Sequence, residues 1–273
     1  MTPTDPALEG PALTDTEAAA YLARIGAPAP HAPTRAALSS LHLAHLLAVP
    51  FENLDISLGR PIRLDRAALL DKVVRRRRGG YCYELNGLFA LLLRHLGYAV
   101  DLVSARVATG DGGLTPEFDH LALVVSGGDL DGPVLADVGF GDAFVEPLVL
   151  RDHEERAEPG KHVGLLAAGA DWHYRERRPD EPWRTQYVFT ATPHALSDFE
   201  ARHHWQQTSP ESHFTRSRVV SRLTPTGRVT LSGDRLITTT HGRRHETRLS
   251  EDDVRRALVE HFGIVLERRD PVG

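Results

Sequence analysis

The spacing of apolar residues changes near residue 100, and this change constrains the fold more than any other feature of the sequence. Before it, apolar residues recur with helical spacing and predict four helices: Thr14–Leu22, Arg35–Leu47, Arg66–Arg76 and Cys82–Leu96. After it, runs rich in β-branched residues predict strands: Val100–Val107, His120–Val125, Val134–Val138, Gly164–Leu166, Trp172–Arg177, Trp183–Val188, Arg218–Leu223, Arg228–Leu231 and Arg235–Thr240. A last helix is predicted near Glu251–His261. The fold class is therefore α+β, with helices first, a β-rich middle and a smaller α/β end.

The start of the helical part is marked by a capping box. Residues 1–13 are rich in proline and polar residues and are predicted to form a disordered extension. Thr14 is followed three residues later by Glu17. In a capping box, the side chain of each of these two residues bonds the backbone N–H group of the other. The first helix is therefore expected to open at Thr14.

The only cysteine of the chain, Cys82, lies between two glycines and a predicted helix. The N-terminus of a helix carries roughly half a positive charge, which lowers the pKa of a thiol and favours the thiolate. Gly79 and Gly80 leave no side chain just before the sulfur, so the backbone there is expected to be open to a ligand. A single cysteine is more often an inert buried residue, so a catalytic role also requires a base and an orienting acid.

Two neighbouring strands supply these groups. The segment 126–133 between them resembles a hairpin connection. If Val125 pairs with Val134, then His120 and Asp137 share one face of the sheet as diagonal neighbours, with Cβ atoms about 7 Å apart. A shift of the register by one residue would separate them.

The aspartate is the more informative of the two residues. Asp137 interrupts an apolar strand, and a buried carboxylate is costly without a partner. An imidazole on the same face is the partner that a triad requires. We therefore predict that Cys82, His120 and Asp137 form a catalytic triad.

Composition excludes several classes of function. The 273 residues carry a net charge of −5, which argues against general nucleic-acid binding in spite of the run Arg75–Arg78. One cysteine allows no internal disulfide and fits a reducing compartment. The sequence begins without the features of a signal peptide, and its apolar runs are too short to span a bilayer. These features predict a cytoplasmic protein that does not bind membranes.

The fifteen histidines do not have the spacing of a metal site. His241 and His245 are four residues apart, but the threonine run before them favours a strand over a helix. No metal is predicted.

Six segments of the chain resemble the arylamine N-acetyltransferases of bacteria, over a region from about Thr14 to about Val265. The most specific are the Pro-Phe-Glu-Asn-Leu and Arg-Gly-Gly-x-Cys-x-Glu-x-Asn motifs. The segments are Tyr21–Gly26, Pro50–Asp55, Arg78–Asn86, Phe118–His120, Asp137–Gly141 and Thr208–Phe214.

The resemblance implies a fold of three parts and a ping-pong reaction. A helical bundle (residues 14–100) would bear the cysteine, a β-barrel (101–202) would bear the histidine and aspartate, and residues 203–273 would form an α/β lid. Cys82 would take the acetyl group of acetyl-CoA and pass it to an arylamine or hydrazine. Acetyl-CoA is the acyl-donor substrate, and no resident cofactor is expected.

The resemblance also assigns the residues around the triad. Phe51, Phe140 and Phe214 would line the acceptor pocket, where flat aromatic side chains suit a flat amine. The CoA contacts would come from Gly141, Thr208 and Ser212. This chain departs from the family pattern ahead of the Thr-x-Pro stretch, where it has His203 and Gln207.

Three other functions remain open at this point. Related amide synthases move a polyketide acyl chain onto an aromatic amine with the same chemistry. A cysteine hydrolase would use the same triad with water as acceptor. A non-catalytic binding protein could also have kept the fold.

Overall fold

The computed structural model describes residues 12–266. Its α-helices are α1 (Asp15–Ile25), α2 (Arg35–Ala48), α3 (Leu54–Ser57), α4 (Arg66–Leu69), α5 (Cys82–His95), α6 (Glu200–Thr208), α7 (His213–Arg216) and α8 (Glu251–Phe262). The predicted extension over residues 1–13 lies outside the described residues except for its last two. Of these, Leu13 is buried, and its carbonyl accepts a hydrogen bond from Nδ1 of His95 at 2.6 Å.

The strands are β1 (Phe51–Glu52), β2 (Ala99–Val107), β3 (His120–Ser126), β4 (Val134–Ala136), β5 (Leu148–Val149), β6 (Glu155–Glu158), β7 (Lys161–Ala168), β8 (Asp171–Arg177), β9 (Arg184–Thr190), β10 (Val219–Thr224), β11 (Gly227–Ser232), β12 (Arg235–Thr240) and β13 (Arg243–Arg248). Apart from the two-residue β1, the strands begin after residue 98. The predicted change from helices to strands is confirmed. No helix within residues 12–266 combines the length and the apolar character needed to cross a membrane.

The capping box at the first helix is confirmed. The Thr14 hydroxyl accepts the Glu17 backbone N–H, and the Glu17 carboxylate accepts the Thr14 backbone N–H at 2.9 Å. The helix ends at Gly26, whose φ of 70° lies in the left-handed region that favours glycine. Local side-chain chemistry thus defines both ends of α1.

The third predicted helix differs from the expectation. Only Arg66–Leu69 is α-helical, and Leu70–Arg75 continues as a π-helix. The backbone N–H of Arg76 bonds the carbonyl of Asp71, five residues earlier. The spacing of apolar residues does not reveal this wider turn, because a π-helical hydrogen bond spans only one residue more than an α-helical one.

Eight strands form one curled sheet in the order β5-β4-β3-β2-β9-β8-β7-β6. In the described part of the chain its edge strands β5 and β6 do not pair, so the predicted barrel is an open curled sheet. Side chains bridge the gap instead: Arg156 donates to the carbonyls of Glu146 and Pro147, and Glu158 accepts the Val145 N–H. The sheet therefore curls toward closure without a continuous ladder.

The predicted register of the central hairpin is confirmed. Val125 pairs with Val134, and the ladder ends where Leu123 pairs with Ala136. Asp137 therefore lies one residue beyond the strand, at the start of a loop. Apolar side chains of α5 pack in one core with Leu121, Leu123 and Val125 of β3, which brings the cysteine helix beside this hairpin.

A second sheet has the order β1-β10-β11-β12-β13 and packs with α8 around Val220, Leu231, Leu258 and Phe262. The strand β1 contributes Phe51, which pairs with Ser221, so the N-terminal part of the chain supplies an edge of this sheet. The sequence did not predict α6 or β13. Both are dominated by polar residues, and every residue of β13 is exposed, so neither has an apolar pattern.

Candidate active site

The first turn of α5 places Cys82 in a tightly packed loop. Cys82 is the first residue of the helix and is 3% exposed. A Cβ atom on Gly79 would lie 1.9 Å from the Pro50 carbonyl oxygen, and one on Gly80 would lie 2.7 Å from the Glu84 Cβ. The glycines are therefore needed because protein atoms fill the space beside them. The expectation that they leave the backbone open to a ligand was wrong.

The predicted pair of His120 and Asp137 is present. Nε2 of His120 lies 2.7 Å from Oδ2 of Asp137, and both side chains are buried. Burial disfavours the imidazolium, but the charge and hydrogen bond of Asp137, with a contribution from Cys82, outweigh it and raise the pKa of His120 to about 10. The imidazole is therefore charged at neutral pH.

Cys82 contacts the same imidazole, because its side chain lies within hydrogen-bonding reach of His120. Nε2 is occupied by Asp137, which leaves Nδ1 as the ring nitrogen available to the sulfur. An imidazolium beside a thiol favours the thiolate, which is the nucleophilic form. The structure thus brings the three sequence-predicted residues together.

A fourth residue, Asn86, holds the aspartate in place. Its amide donates to Oδ1 of Asp137 at 2.9 Å, and its Oδ1 accepts the backbone N–H of Val138 at 2.9 Å. The N–H of Gly139 also donates to Oδ1 of Asp137. Burial would raise the pKa of Asp137, but these bonds and the charge of His120 lower it. Asn86 lies in the cysteine motif, but no local pattern points to its partner 51 residues away.

The loop after Asp137 packs directly on the backbone of Cys82. A Cβ atom on Gly139 would lie 2.8 Å from the Cα of Cys82 and 2.8 Å from Nδ2 of Asn86. Only glycine fits at this position. The histidine–aspartate pair and the cysteine are therefore held together by backbone packing as well as by hydrogen bonds.

Comparison with known proteins agrees with this geometry. The sequence model of the N-acetyltransferase family matches residues 34–271. An enzyme of Salmonella typhimurium named arylamine N-acetyltransferase / N-hydroxyarylamine O-acetyltransferase is 37% identical over 209 residues, which are 76% of this chain and 73% of the relative. The chain belongs to the arylamine N-acetyltransferase family. It is therefore an acetyltransferase.

Solved structures give the same result. The crystal structure of the arylamine N-acetyltransferase of Nocardia farcinica has a TM-score of 0.88 and 39% identity, with 98% of this chain and 96% of that one covered. The enzyme of Mycobacterium marinum in complex with CoA has a TM-score of 0.84 and 32% identity, with 90% of this chain and 92% of that one covered. The mixed α/β fold and its curled sheet are those of the family.

In this N-acetyltransferase, aromatic rings surround the triad. The edge of Phe140 meets the His120 ring at 5.1 Å, and Phe51 lies 6.1 Å from Phe214. Tyr81, next to the nucleophile, contacts Phe214 at 5.6 Å. All three predicted pocket phenylalanines are half-buried. Phe140 therefore adjoins His120, whereas Phe51 and Phe214 belong to an aromatic group that includes Tyr81.

The three residues predicted to contact CoA differ in their surroundings. Gly141 has a φ of 91°, and a Cβ atom on it would lie 3.4 Å from the Phe51 ring, so it adjoins the aromatic group. Ser212 is fully buried, and its hydroxyl donates to the Gln206 carbonyl and accepts the Phe214 N–H. Thr208 is exposed on α6. Ser212 therefore caps α7 in this structure, whereas Thr208 is open to solvent.

The departures His203 and Gln207 form one network beside Tyr81. The Tyr81 hydroxyl bonds Nδ1 of His203, and the two rings stack at 5.8 Å. Gln207 bonds Nε2 of His203 at 3.0 Å and accepts the Ile62 N–H at 2.8 Å. The two departures thus occur together, and they tie α6 to the residue that precedes the nucleophile.

A buried cluster of charges, which sequence reasoning missed, underlies the cysteine loop. Arg78 donates to Glu52 at 2.8 Å and to Asp55 at 3.0 Å, while Lys72 bonds Asp55 at 2.8 Å and Glu84 at 2.7 Å. One signal was available, because Lys72 is one of only two lysines in a chain whose cations are otherwise arginines. The cluster joins the two motifs that best identify the family.

Proposed function

We propose that this enzyme transfers the acetyl group of acetyl-CoA to the amino group of arylamines and hydrazines through an acetyl-Cys82 intermediate. The observation that carries the proposal is the buried His120–Asp137 pair, which lies within reach of the Cys82 sulfur at the start of α5. The triad roles are nucleophile for Cys82, base for His120 and orienting acid for Asp137.

In the first half-reaction the Cys82 thiolate attacks the thioester carbonyl carbon of acetyl-CoA. The carbonyl π electrons move to oxygen, and N–H groups at the start of a helix, which lack partners within it, are suited to stabilise that oxyanion. When the intermediate collapses, the bond to the CoA sulfur breaks, and the His120 imidazolium gives its proton to the leaving thiolate. The products are acetyl-Cys82, neutral His120 and free CoA.

In the second half-reaction the amine nitrogen attacks the acetyl-Cys82 carbonyl. Neutral His120 takes the proton from the attacking nitrogen, and the bond to the Cys82 sulfur breaks. The amide leaves, and the thiolate–imidazolium pair is restored. Each half-reaction therefore returns the proton that the other uses, as a ping-pong sequence requires.

The surroundings of the triad suit these two substrates. Phe51, Phe140 and Phe214 offer flat apolar surfaces for an aromatic acceptor. The existence of a CoA complex of the Mycobacterium marinum relative supports CoA as the carrier of the donor group. We place donor contacts at Gly141, Thr208 and Ser212, of which Thr208 is freely accessible.

The test is to incubate the protein with acetyl-CoA and no amine, and to measure intact mass followed by peptide mapping. We expect one acetyl group on Cys82 and release of one equivalent of CoA, and neither with the Cys82→Ser variant. An unmodified Cys82 would contradict the proposal and point to another acyl donor, such as a carrier-bound polyketide chain.

A further inference from the structure

A buried histidine outside the triad contacts the loop that carries the catalytic aspartate. His42 belongs to α2 and is fully buried. Its ring stacks on Phe144 at 5.6 Å with an interplanar angle of 9°, and its edge meets Phe89 of α5 at 6.2 Å. Two aromatic neighbours therefore fix the plane of the imidazole.

The hydrogen bonds of His42 determine its tautomer. Nδ1 lies 2.8 Å from the carbonyl oxygen of Val145, which can only accept, so Nδ1 carries the hydrogen. Nε2 lies 3.1 Å from both the backbone nitrogen and the carbonyl oxygen of Asp137, and in the neutral ring it holds a lone pair, which accepts the Asp137 N–H. Both ring nitrogens are thus used, and each bonds the backbone of the same loop.

The charges around His42 are consistent with a neutral ring. Burial lowers its pKa, and the contacts with Val145 and Asp137 and the charge of Glu158 only partly oppose this. The nearby ionisable group on its own helix is His45, which burial also keeps neutral. The lowered pKa favours the neutral ring, whose Nε2 can accept the Asp137 N–H.

One imidazole therefore bonds Asp137 and Val145, near the two ends of the loop 137–147 between β4 and β5. This loop carries Phe140 and Gly141 as well as the catalytic aspartate. Asn86 holds the side chain of Asp137 from α5, and His42 holds its backbone from α2. The two helices thus act on two different parts of one residue.

We propose that His42 is a positioning residue for acyl transfer, which orients the Asp137 carboxylate toward His120 by holding both ends of the loop. The inference rests on the proposed function, because it takes Asp137 as the acid of the triad. His42 touches neither substrate nor sulfur in this account, and acts through the loop alone.

The test is the His42→Phe variant, which keeps an aromatic ring but removes both hydrogen bonds. We expect kcat for acetyl transfer to fall on the order of 10²-fold, because small displacements of catalytic groups have effects of this size. The KM for acetyl-CoA should change little. The pH profile of Cys82 alkylation by iodoacetamide should shift to higher pH than in the wild type. The reason is that a misplaced Asp137 weakens the thiolate–imidazolium pair.

A matched control lies three residues further along the same helix. His45 is also fully buried and bonds the Tyr21 hydroxyl at 2.7 Å, but the structure gives it no hydrogen bond to the loop. The double variant His45→Phe/Tyr21→Phe removes both partners of that bond. It should lower the melting temperature and leave the alkylation profile where it is. The variant His42→Gln, which has one donor and one acceptor, should recover part of kcat and of the profile.

The outcomes separate this inference from the proposed function. If His42→Phe and His42→Gln both fold and keep the alkylation profile and kcat of the wild type, the inference is overturned. If instead the wild type forms no acetyl-Cys82, the proposed function fails. The alkylation profile, which needs no acyl donor, still reports whether His42 affects the thiolate.

Discussion

Two groups of buried charged side chains contact the first turns of α5: the His120–Asp137 pair, and the cluster of Glu52, Asp55, Lys72, Arg78 and Glu84. They differ in whether a reactive atom lies beside them. In the pair, Nε2 of His120 bonds Asp137, and the Cys82 side chain lies within hydrogen-bonding reach of the same ring. In the cluster, Lys72 and Arg78 are enclosed by the carboxylates of Glu52, Asp55 and Glu84. Each cation there is occupied by carboxylates, so the cluster can hold the loop but has no group free to react.

This difference shows that buried charge alone does not identify a catalytic site. Burial acts on pKa values in both groups. It raises the pKa of Glu84 to about 7, whereas at His120 burial would lower the pKa but the charge and hydrogen bond of Asp137 raise it. What distinguishes the pair is an ionisable nitrogen directed at a nucleophile. The cluster instead joins Glu52 and Asp55 to the cysteine loop across the bundle.

The largest expected effect comes from replacing an aspartate with asparagine, once in the pair and once in the cluster. Asp137→Asn should lower kcat on the order of 10⁴-fold, because the imidazole loses the acid that orients it. Asp55→Asn, in the cluster, should lower the unfolding free energy and leave the kcat of the folded enzyme close to that of the wild type. Steady-state kinetics and urea unfolding of both variants measure the contrast. Equal losses of kcat would remove the distinction.

The second prediction concerns stability. Lys72→Met should lower the unfolding free energy by about 3–5 kcal/mol, because it leaves Glu84 buried without its cation and Asp55 with Arg78 alone. Adding Glu84→Gln should restore part of that loss, since the unpaired carboxylate is then removed. A double-mutant cycle from urea unfolding gives the coupling energy. A double variant that is no more stable than Lys72→Met would show that the two residues do not depend on each other.

The third prediction separates the two groups by pH. The folded-state pKa of Glu84 is raised from 4.5 to about 7, so its contribution to stability is present below pH 4.5 and is lost as the pH rises to about 7. The pKa of His120 is raised from 6.5 to about 10, so its contribution is lost between pH 6.5 and about 10.

Unfolding free energies measured across pH should show these two windows as differences between variants and the wild type. Glu84→Gln should remove the change between pH 4.5 and 7, and His120→Gln the change between pH 6.5 and 10. Differences from the wild type are needed, because the lowered pKa values of His42 and His45 act in the opposite direction below pH 6.5. A single window shared by both variants would contradict the separation.

The smallest expected effect lies just outside the cluster. Arg76 is exposed and pairs with Asp71 on the surface, whereas Arg78 in the same run is buried. Arg76→Ala should change the unfolding free energy by less than about 1 kcal/mol and leave the KM for acetyl-CoA unchanged. A large increase in that KM would instead assign the exposed arginines to the CoA phosphates.

The sequence predicted those parts of the fold and site that depend on neighbouring residues. The capping box at Thr14 and the register of Val125 with Val134 follow from local patterns, and the register places Asp137 near His120. Cys82 stands out as the only cysteine, at the predicted start of a helix, and the resemblance adds the motif around it. Local patterns are sufficient here because the decisive pairs are close in sequence or lie on one hairpin.

The remaining features depend on contacts between distant residues. His42 meets the backbone of Asp137 across 95 positions, and Asn53 donates to the Phe214 carbonyl across 161. No local period encodes such pairs. The polar helix α6 and the exposed strand β13 were missed for a related reason, since tertiary pairing rather than an apolar face holds them in place.

The central claim, that acetyl-Cys82 lies on the path to product, is tested most directly by discharging the isolated intermediate. The acetyl-enzyme, freed of CoA, would be mixed with an arylamine in a quenched-flow experiment. Acetylated amine should appear at the rate at which acetyl-Cys82 disappears, fast enough to support kcat, and the intermediate should persist without amine. Rapid loss to water with no acetylated amine would instead identify the protein as a hydrolase.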